Sequence, residues 1–263
     1  MKISVGVATY NGEMFIHHQL HSIINQTVKP DEIVLIDDCS HDKTLQIASN
    51  ILKLSGIDLI IQCNKENLGY YRNFEKVLER CTGDIIFLSD QDDVWFPNKI
   101  EMHLGIYKKN IDALMVTNDC LITDSDLYSY GRTKLMNINS FLGSSNSMIM
   151  GCCSSISVKL LKASLPFPKE FLGHDNWLNA IASNLKGTIL IKDILQFYRQ
   201  YGSNTSSYYT NTPTKPTIFN ICKVLSKRLI RRLYSYSSKE RALKETIKEL
   251  IISRSQKITD GAN

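Results

Sequence analysis

The sequence has few of the features that mark secreted, membrane-spanning or zinc-binding proteins. Its seven cysteines are odd in number and form no C-x-x-C pair, which argues against a disulfide framework and a zinc site. The apolar run at the N-terminus is interrupted at Thr9–Asn11, so we expect neither a signal peptide nor a membrane anchor there. No apolar window reaches the ~20 residues that a spanning helix needs. These absences predict a cytoplasmic protein with reduced, mostly buried cysteines.

Positive charge is concentrated near the C-terminus. The formal net charge is +5, but Lys223 to Lys257 contains eleven Lys and Arg against three Glu, a local balance of about +8. Residues 1–222 therefore carry about −2. A basic tail can bind nucleic acid or an anionic membrane surface. We do not expect nucleic acid, because the tail contains no recognition motif.

The first half of the chain alternates between apolar strands and amphipathic helices. Strands are predicted at Ile3–Ala8, Ile33–Ile36, Leu59–Ile61 and Ile85–Leu88, and helices at Glu13–Gln26, Asp42–Leu54, Asn73–Cys81 and from Pro97. Helices between successive strands favour parallel pairing, and continuously apolar strands indicate a sheet covered on both faces. The sequence therefore predicts an α/β fold with a Rossmann-like, mostly parallel sheet and helices on both faces.

The second half is less regular. Predicted strands cover 113–116, 147–154 and 188–198, a helix covers 174–185, and 124–145 has the polar, aperiodic pattern of a loop. Residues 202–215 are rich in Ser, Thr, Asn and Tyr, which predicts a mobile loop or linker. Two amphipathic helices are expected after Pro216, with Glu240 and Lys244 as a helical ion pair in the second.

Three carboxylates lie within four positions directly after the fourth predicted strand, in the segment Ser89–Trp95. Asp90, Asp92 and Asp93 would repel one another unless a cation lay among them. Oxygen ligands of this kind suit Mg2+, which often bridges carboxylates to substrate phosphates. A polar turn that ends a strand is the alternative, but one Asp would suffice for that.

Other polar residues follow the other predicted strands. In open sheets of this kind, ligands bind beyond the carboxyl ends of the strands. Asp38 could accept a hydrogen bond from a base or a ribose, or its neighbourhood could cap the next helix. Arg72, in the segment Asn67–Asn73, offers a planar donor to phosphate or base, although an Arg in the first turn of a helix is usually just solvated.

Two segments of the second half could supply catalytic groups. His174 and Asp175 open a predicted helix, where the helix dipole keeps a carboxylate ionised. Asp175 could be a general base that deprotonates a sugar hydroxyl, or simply an N-terminal acid. His174 could orient an acceptor or cap the helix. Arg199 could pair with a diphosphate or a site carboxylate, or end an ordinary strand.

Taken together, these residues resemble glycosyltransferase family 2, the inverting, nucleotide-sugar-dependent enzymes with a GT-A fold. The resemblance covers roughly residues 1–205, and the motifs occur in the order found in the family. The motifs are V-A-T-Y-N-G at 7–12, I-V-L-I-D-D-C-S at 33–40, N-L-G at 67–69, S-D-Q-D-D-V-W-F-P-N-K at 89–99, G-H-D-N-W at 173–177 and Y-R-Q-Y-G-S-N at 198–204. The D-Q-D-D-V-W and H-D-x-W forms look most like bacterial rhamnosyltransferases of surface-polysaccharide synthesis.

The resemblance implies a role for each matching residue. Asp90 and Asp92 would form a D-x-D pair that holds Mg2+ or Mn2+, with Asp92 the direct ligand. Asp175 would be the base, with His174 beside it, and Asp93 would face the sugar or acceptor. The residues expected to bind the nucleoside and diphosphate of a dTDP- or UDP-sugar are Thr9, Tyr10, Asn11, Asp38, Asn67, Arg72, Asp90 and Arg199.

Two departures from the family pattern are visible. Tyr201 stands where relatives often have His, and Asn176 stands where an aromatic residue is common. The first bears on a metal or phosphate contact, and the second on the acceptor pocket.

The resemblance over residues 1–205, and the charge and helical pattern of the tail that lies outside it, predict a division of the chain. Residues 1–110 would bind the nucleotide sugar, 111–205 the acceptor, 206–215 would form a linker and 216–263 a basic helical tail. The expected acceptor is a saccharide carried on a lipid, since such polymers grow on membrane carriers. The tail would then lie on the inner face of the membrane, or it would pack on the domain with its charges in water.

Two other functions fit parts of the pattern. A sugar nucleotidyltransferase would use a similar sheet and carboxylate-bound Mg2+, but it would need a basic, Gly-rich loop after the first strand. Residues 9–13 contain no Lys or Arg. A catalytically silent sugar-binding module would be expected to lack Asp92 or Asp175, and both are present.

Overall fold

A mixed sheet forms the centre of the computed structural model, which describes residues 1–136, 150–169, 173–201 and 238–261. Its strands in these ranges are β1 (Ile3–Thr9), β2 (Glu32–Asp37), β3 (Asp58–Cys63), β4 (Ile85–Ser89), β5 (Val94–Trp95), β6 (Met115–Thr123), β7 (Ser129–Thr133), β8 (Ser154–Ser157) and β9 (Thr188–Arg199). The α-helices are α1 (Ile16–Ile24), α2 (Thr44–Leu52), α3 (Tyr70–Arg80), α4 (Lys99–Lys109), α5 (Val158–Ser164), α6 (His174–Asn184) and α7 (Ser238–Asp260).

The strand order places the ends of the first four strands at one edge of the sheet. The order is β3-β2-β1-β4-β8-β6-β9-β5, with β7 paired to β6. Strands β1 to β4 pair in parallel, and Thr9 lies beside Asp37 while Val7 lies beside Ser89. Strand β8 is antiparallel to both β4 and β6, and β9 is parallel to β6. The predicted α/β fold is confirmed, and the carboxyl ends of β1, β2 and β4 form a single rim.

Side chains of the central strands alternate between two apolar layers. Val5, Leu35 and Phe87 contribute to the layer that packs against α1, α2 and α4. Val34 and Ile86 contribute to the other layer, which packs against α3, α5, α6 and α7. Helices therefore cover both faces of the sheet, as the continuously apolar strands predicted.

The structure departs from the sequence prediction at four places. The strand predicted at 147–154 is wrong, because β8 begins only at Ser154 and residues 151–153 form a 3₁₀ turn. The predicted loop at 124–145 contains β7, and the short elements β5 and α5 were not predicted. Strands this short are defined by pairing with distant strands, so the local sequence does not reveal them.

The C-terminal helix α7 packs on the domain. Its Leu250, Ile251 and Ile258 join the apolar layer of α5 and α6. Arg254 donates from Nη1 to the carbonyl oxygen of Leu165 at 2.8 Å, and Asn184 donates to the Ser255 hydroxyl at 3.0 Å. The predicted loop at 202–215 and the first predicted tail helix lie outside the described residues. Among the helices that are described, none combines the length and the apolar character needed to cross a bilayer.

The six described cysteines are all free thiols. Cys81, Cys120, Cys152 and Cys153 are buried, whereas Cys39 is half-buried and Cys63 is exposed. The expectation of small buried thiols therefore holds for four of the six, and the two others lie near the rim.

A buried carboxylate joins β2 to the ends of β1 and α3. Glu32 accepts hydrogen bonds from the Ser4 hydroxyl at 2.5 Å and the Thr82 amide at 2.6 Å, and it pairs with Lys2 at 3.0 Å. Burial favours the neutral acid, but these donors outweigh it and lower the pKa of Glu32 to about 2. The ionised carboxylate therefore stabilises the fold.

Replacement of Glu32 by Gln should remove part of the acid sensitivity of the fold. Because the folded-state pKa lies below the unfolded one, the stabilisation is complete above about pH 5 and is lost as the pH falls towards 2. Glu32→Gln should cost on the order of 2 kcal/mol at pH 7 and little near pH 2. Urea unfolding at several pH values measures this, with the exposed Glu66→Gln as the control. An equal cost at pH 7 and pH 2 would contradict the prediction.

Candidate active site

The ends of β1 and β2 are tied together by short polar contacts. The Thr9 hydroxyl donates to Asp37 at 2.8 Å, and the Ser40 hydroxyl donates to the same carboxylate at 2.6 Å. Asn11 has a positive φ of 46°. Its backbone N–H donates a hydrogen bond to the Ser40 hydroxyl, in the β2–α2 loop, at 2.8 Å. Both Thr9 and Asn11 therefore shape the rim. Tyr10, with 42% of its surface exposed, and Asn11 are the exposed residues of this segment.

Gln91 connects the acidic segment to the end of β1. Its side-chain oxygen accepts from the Tyr10 amide at 2.8 Å, and its nitrogen donates to the Tyr10 carbonyl at 2.9 Å. A Cβ on Gly12 would lie 2.3 Å from this side chain, so the contact requires glycine there. The sequence prediction missed Gln91. Its position inside the D-x-D pair was the available signal.

Asp38 organises the loop before α3. Its carboxylate accepts from Asn64 at 2.8 Å and from the amides of Leu68 and Gly69 at 2.9 and 2.8 Å. Asn67 accepts from the same Gly69 amide at 3.0 Å. The sequence predicted a ligand contact or a helix cap for Asp38, and it did not predict these hydrogen bonds to the loop before α3. Three bonds leave one acceptor position on a carboxylate.

Arg72 is half-buried and hydrogen-bonded to other protein groups. Its guanidinium donates to Glu75 at 2.6 Å and to the carbonyl of Phe167, beyond α5, at 3.0 Å. These contacts connect α3 to the neighbouring layer. We therefore leave Arg72 out of the proposed donor site, where the sequence had placed it.

Asp90 and Asp92 lie together at the end of β4, and both are half-buried. Burial, with the charges of Asp92 and Asp175, raises the pKa of Asp90 to about 7. Burial also raises the pKa of Asp92, whose Oδ2 accepts a hydrogen bond from the Tyr201 hydroxyl at 2.6 Å. Neighbouring carboxylates in a desolvated place favour a bound cation, because a cation would stabilise their ionised forms.

Asp93 points into the protein. It is fully buried and accepts from the Gln196 side chain at 2.9 Å and from the Arg199 amide at 3.3 Å. Both partners belong to β9, so Asp93 fixes the acidic segment to that strand. This placement favours a structural role for Asp93, and its contact with the sugar or acceptor stays a prediction.

Arg199 supports the acidic segment from behind. Its Nε donates to the carbonyl oxygen of Asp92 at 2.8 Å, and Nη1 donates to the carbonyl of Ser125. The guanidinium lies 4.5 Å from the centroid of the Phe15 ring. Arg199 is only 2% exposed, so these contacts show a structural role, and a diphosphate contact remains a prediction.

Asp175 lies in the first turn of α6, where its carboxylate is half-buried. It is close enough to Asp90 for its charge to help raise the pKa of Asp90. It also acts on Tyr70, whose pKa is raised by burial and then by Asp175. The fold thus brings Asp175 to the acidic end of β4, although the two segments are far apart in sequence.

His174 packs behind Asp175. Its ring stacks on Phe74 at a centroid distance of 3.8 Å and is 6% exposed. Burial lowers the pKa of His174 despite the opposing charge of Asp175, so the ring is neutral. A Cβ on Gly151 would lie 2.2 Å from Nε2, which shows how closely the 3₁₀ turn covers the ring. This packing favours a structural role over the predicted orientation of the acceptor.

A buried lysine lies below the acidic segment. Lys99 donates to the Cys152 carbonyl at 2.7 Å and to the side chain of Gln196, which in turn binds Asp93. Its ammonium lies 4.2 Å from the Trp95 ring centroid. Ligand atoms of Asp90, Asp93 and Cys152 lie within 4.8 Å of one another. The sequence prediction missed Lys99, Cys152 and Gln196, because only the long-range fold brings them here.

Comparison with known proteins identifies the family to which this chain belongs. Acidic residues end β4 at the edge of a parallel sheet, and a carboxylate of α6 faces them. The family model described as Glycosyl transferase family 2 matches residues 4–165. The chain belongs to this family. Its structure has the GT-A fold, as the sequence resemblance implied.

Family members from bacteria are similar over different parts of the chain. The Escherichia coli UDP-Glc:alpha-D-GlcNAc-diphosphoundecaprenol beta-1,3-glucosyltransferase WfgD is 25% identical over 78% of this chain and 79% of its own. The Shigella flexneri dTDP-rhamnosyl transferase RfbG is 37% identical over 43% of this chain and 38% of its own. The chain also spans 44% of the length of the Bacillus subtilis putative glycosyltransferase EpsE, at 31% identity.

Solved structures of other glycosyltransferases share the fold. S. aureus TarS in complex with UDP has a TM-score of 0.63 and 21% identity, over 76% of this chain and 61% of that one. The mannosyltransferase PcManGT from Pyrobaculum calidifontis, in complex with GDP-Man and Mn2+, has a TM-score of 0.60 and 17% identity, over 99% and 75% of the two chains.

Proposed function

We propose that this protein is an inverting glycosyltransferase that moves a sugar from a nucleoside-diphosphate donor to a saccharide acceptor. The observation that carries the proposal is that Asp175, at the start of α6, lies within electrostatic reach of Asp90, which ends β4 together with Asp92. A donor diphosphate needs a cation to neutralise its charge, and an acceptor hydroxyl needs a base to remove its proton. This rim offers ligands for the first and a carboxylate for the second.

The donor would lie along the ends of β1, β2 and β4. Tyr10 and the remaining acceptor position of Asp38 are the groups placed to contact the nucleoside, next to the loop that contains Asn67. Asp90 and Asp92 would hold a divalent cation, Mg2+ or Mn2+, whose chemistry when bound is to neutralise charge on the leaving diphosphate. Hard oxygen ligands suit either ion.

Asp175 would act on the acceptor. It takes the proton of an acceptor hydroxyl, which attacks the anomeric carbon on the face opposite the diphosphate. A single displacement of this kind inverts the configuration at that carbon.

The sugar and the acceptor are narrower proposals. Similarity to RfbG supports rhamnose from a dTDP donor, and TarS, which binds UDP, supports a UDP-sugar. Similarity to WfgD, whose named acceptor is a diphosphoundecaprenol, supports a lipid-linked saccharide and a role in bacterial surface-polysaccharide synthesis. We propose that any peripheral membrane contact involves residues 216–237, because α7 packs on the domain.

Two alternatives remain weaker. A sugar nucleotidyltransferase would need a basic loop after β1, and residues 10–13 contain no Lys or Arg. A silent binding module would have no use for Asp175 beside the acidic pair.

A panel of UDP-, dTDP- and GDP-sugars distinguishes these functions. Binding is measured by thermal shift with and without Mn2+, since a ligand raises stability more the tighter it binds. Transfer to saccharide acceptors is measured next. Binding of nucleoside triphosphates in preference to nucleotide sugars would favour the nucleotidyltransferase.

Asp92→Ala should remove the metal-dependent part of donor binding. We expect UDP to bind wild-type protein at least about tenfold more tightly with Mn2+ than without it, and Asp92→Ala to bind UDP equally in both conditions. Isothermal titration measures both affinities. The exposed Asp112→Ala is the matched control and should behave as wild type. Retention of the full Mn2+ effect in Asp92→Ala would exclude Asp92 as a ligand.

A further inference from the structure

We propose that Tyr201 is a positioning residue that holds Asp92 in the geometry required to bind the cation and diphosphate. The inference rests on the proposed function and adds a residue that the sequence prediction did not include in the site. It concerns one contact, from the Tyr201 hydroxyl to Oδ2 of Asp92, and the packing that fixes the tyrosine ring.

The contact has one direction. The Tyr201 hydroxyl donates to Asp92 across 2.6 Å, a distance typical of a strong bond from a hydroxyl to a carboxylate. A carboxylate can only accept a hydrogen bond, so the phenol is the donor. The hydrogen bond is made to Oδ2 of Asp92.

The tyrosine ring is itself held in place. Its centroid lies 4.6 Å from that of Phe15, just before α1, and the Arg199 guanidinium lies 4.5 Å from the same Phe15 ring. Arg199 also donates from Nε to the backbone carbonyl of Asp92 at 2.8 Å. Asp92 is therefore fixed at its side chain by Tyr201 and at its backbone by Arg199, both at the end of β9.

A fixed carboxylate binds a cation more tightly than one that must be ordered during binding. Loss of a hydrogen bond that orients a metal ligand typically lowers metal affinity about 10- to 100-fold. Phenylalanine at this position would preserve the ring contact with Phe15 and remove only the donor. The expected defect therefore concerns cation affinity, not folding.

The test compares Tyr201→Phe with Tyr107→Phe in the full chain. Tyr107 is a matched control, because its hydroxyl also makes a buried hydrogen bond, to the Ser155 carbonyl at 2.9 Å. Electron paramagnetic resonance of free Mn2+, titrated with protein at saturating UDP, gives the Mn2+ affinity directly. Thermal unfolding of both variants gives the structural cost of losing a tyrosine hydroxyl.

We expect Mn2+ to bind Tyr201→Phe about 10- to 100-fold more weakly and Tyr107→Phe as tightly as wild type. If a transfer assay is in hand, KM for the donor at limiting Mn2+ should rise, and kcat at saturating Mn2+ should change by less than about threefold. If Mn2+ binds Tyr201→Phe as tightly as wild type or more tightly, the role of Tyr201 is overturned and the proposed function is not. Absence of Mn2+ and UDP binding in wild type would overturn the proposed function as well.

Discussion

Asp175→Asn should lower the rate of sugar transfer about a thousandfold and leave UDP binding within about twofold of wild type. A positioned general base typically contributes 10²- to 10⁴-fold, and the amide has the same shape but cannot accept the proton. Asp175 is half-buried at the start of α6, and its contact with the Asn176 amide is local, so the substitution should be tolerated by the fold. Initial rates of transfer and titration with UDP measure the two effects separately.

Two measurements would show whether Asp175 acts as the base or is only an acidic neighbour of Asp90. The first is a control, Asp193→Asn, which changes an exposed acid on β9 and should leave the transfer rate unaffected. The second is the donor affinity of Asp175→Asn in Mn2+, which should be unchanged. If transfer by Asp175→Asn is within about tenfold of wild type, a different group must remove the proton.

Lys99→Met should destabilise the protein by about 2–5 kcal/mol, because it leaves two buried acceptors, the Cys152 carbonyl and the Gln196 side chain, without their donor. Lys99 is fully buried, donates to the Cys152 carbonyl at 2.7 Å and binds Gln196, which holds Asp93. Burial lowers the pKa of Lys99, and the nearby charge of Asp93 opposes that shift. Methionine has a similar length but cannot donate to these groups.

Urea unfolding of Lys99→Met and Lys109→Met measures this effect on one helix. Lys109 lies exposed at the end of α4, so its replacement should change the free energy of unfolding by less than about 0.5 kcal/mol. Equal unfolding midpoints for the two variants would show that the buried hydrogen bonds of Lys99 do not stabilise the fold. A large loss of stability only in Lys99→Met would support the buried network.

The sequence was sufficient to predict the parallel half of the fold. β1, β2 and β4 are continuously apolar, so their positions and shared edge follow from local pattern and from the rules for parallel sheets. Observed and predicted bounds of β4 differ by one residue, since Ser89 extends the strand. The rim and its acidic residues were therefore predictable without a structure.

The orientation of side chains at the rim was not predictable in the same way. Asp92 and Asp93 are neighbours in the sequence, yet one faces Tyr201 and the other is buried against Gln196 and the Arg199 amide. Arg72 turns towards Glu75 because α5 places the Phe167 carbonyl beside it. These outcomes depend on partners about a hundred residues away, which local periodicity does not report.

The position of β9 has a consequence for synthesis of the protein on the ribosome. Gln196, Arg199 and Tyr201, which hold the acidic segment, are among the last described residues before α7. A nascent chain that ends at residue 165, the limit of the matched family region, already contains β1 to β4 but none of these supports. Because domains fold as units during translation, the acidic end of β4 matures only when residue 201 has been added.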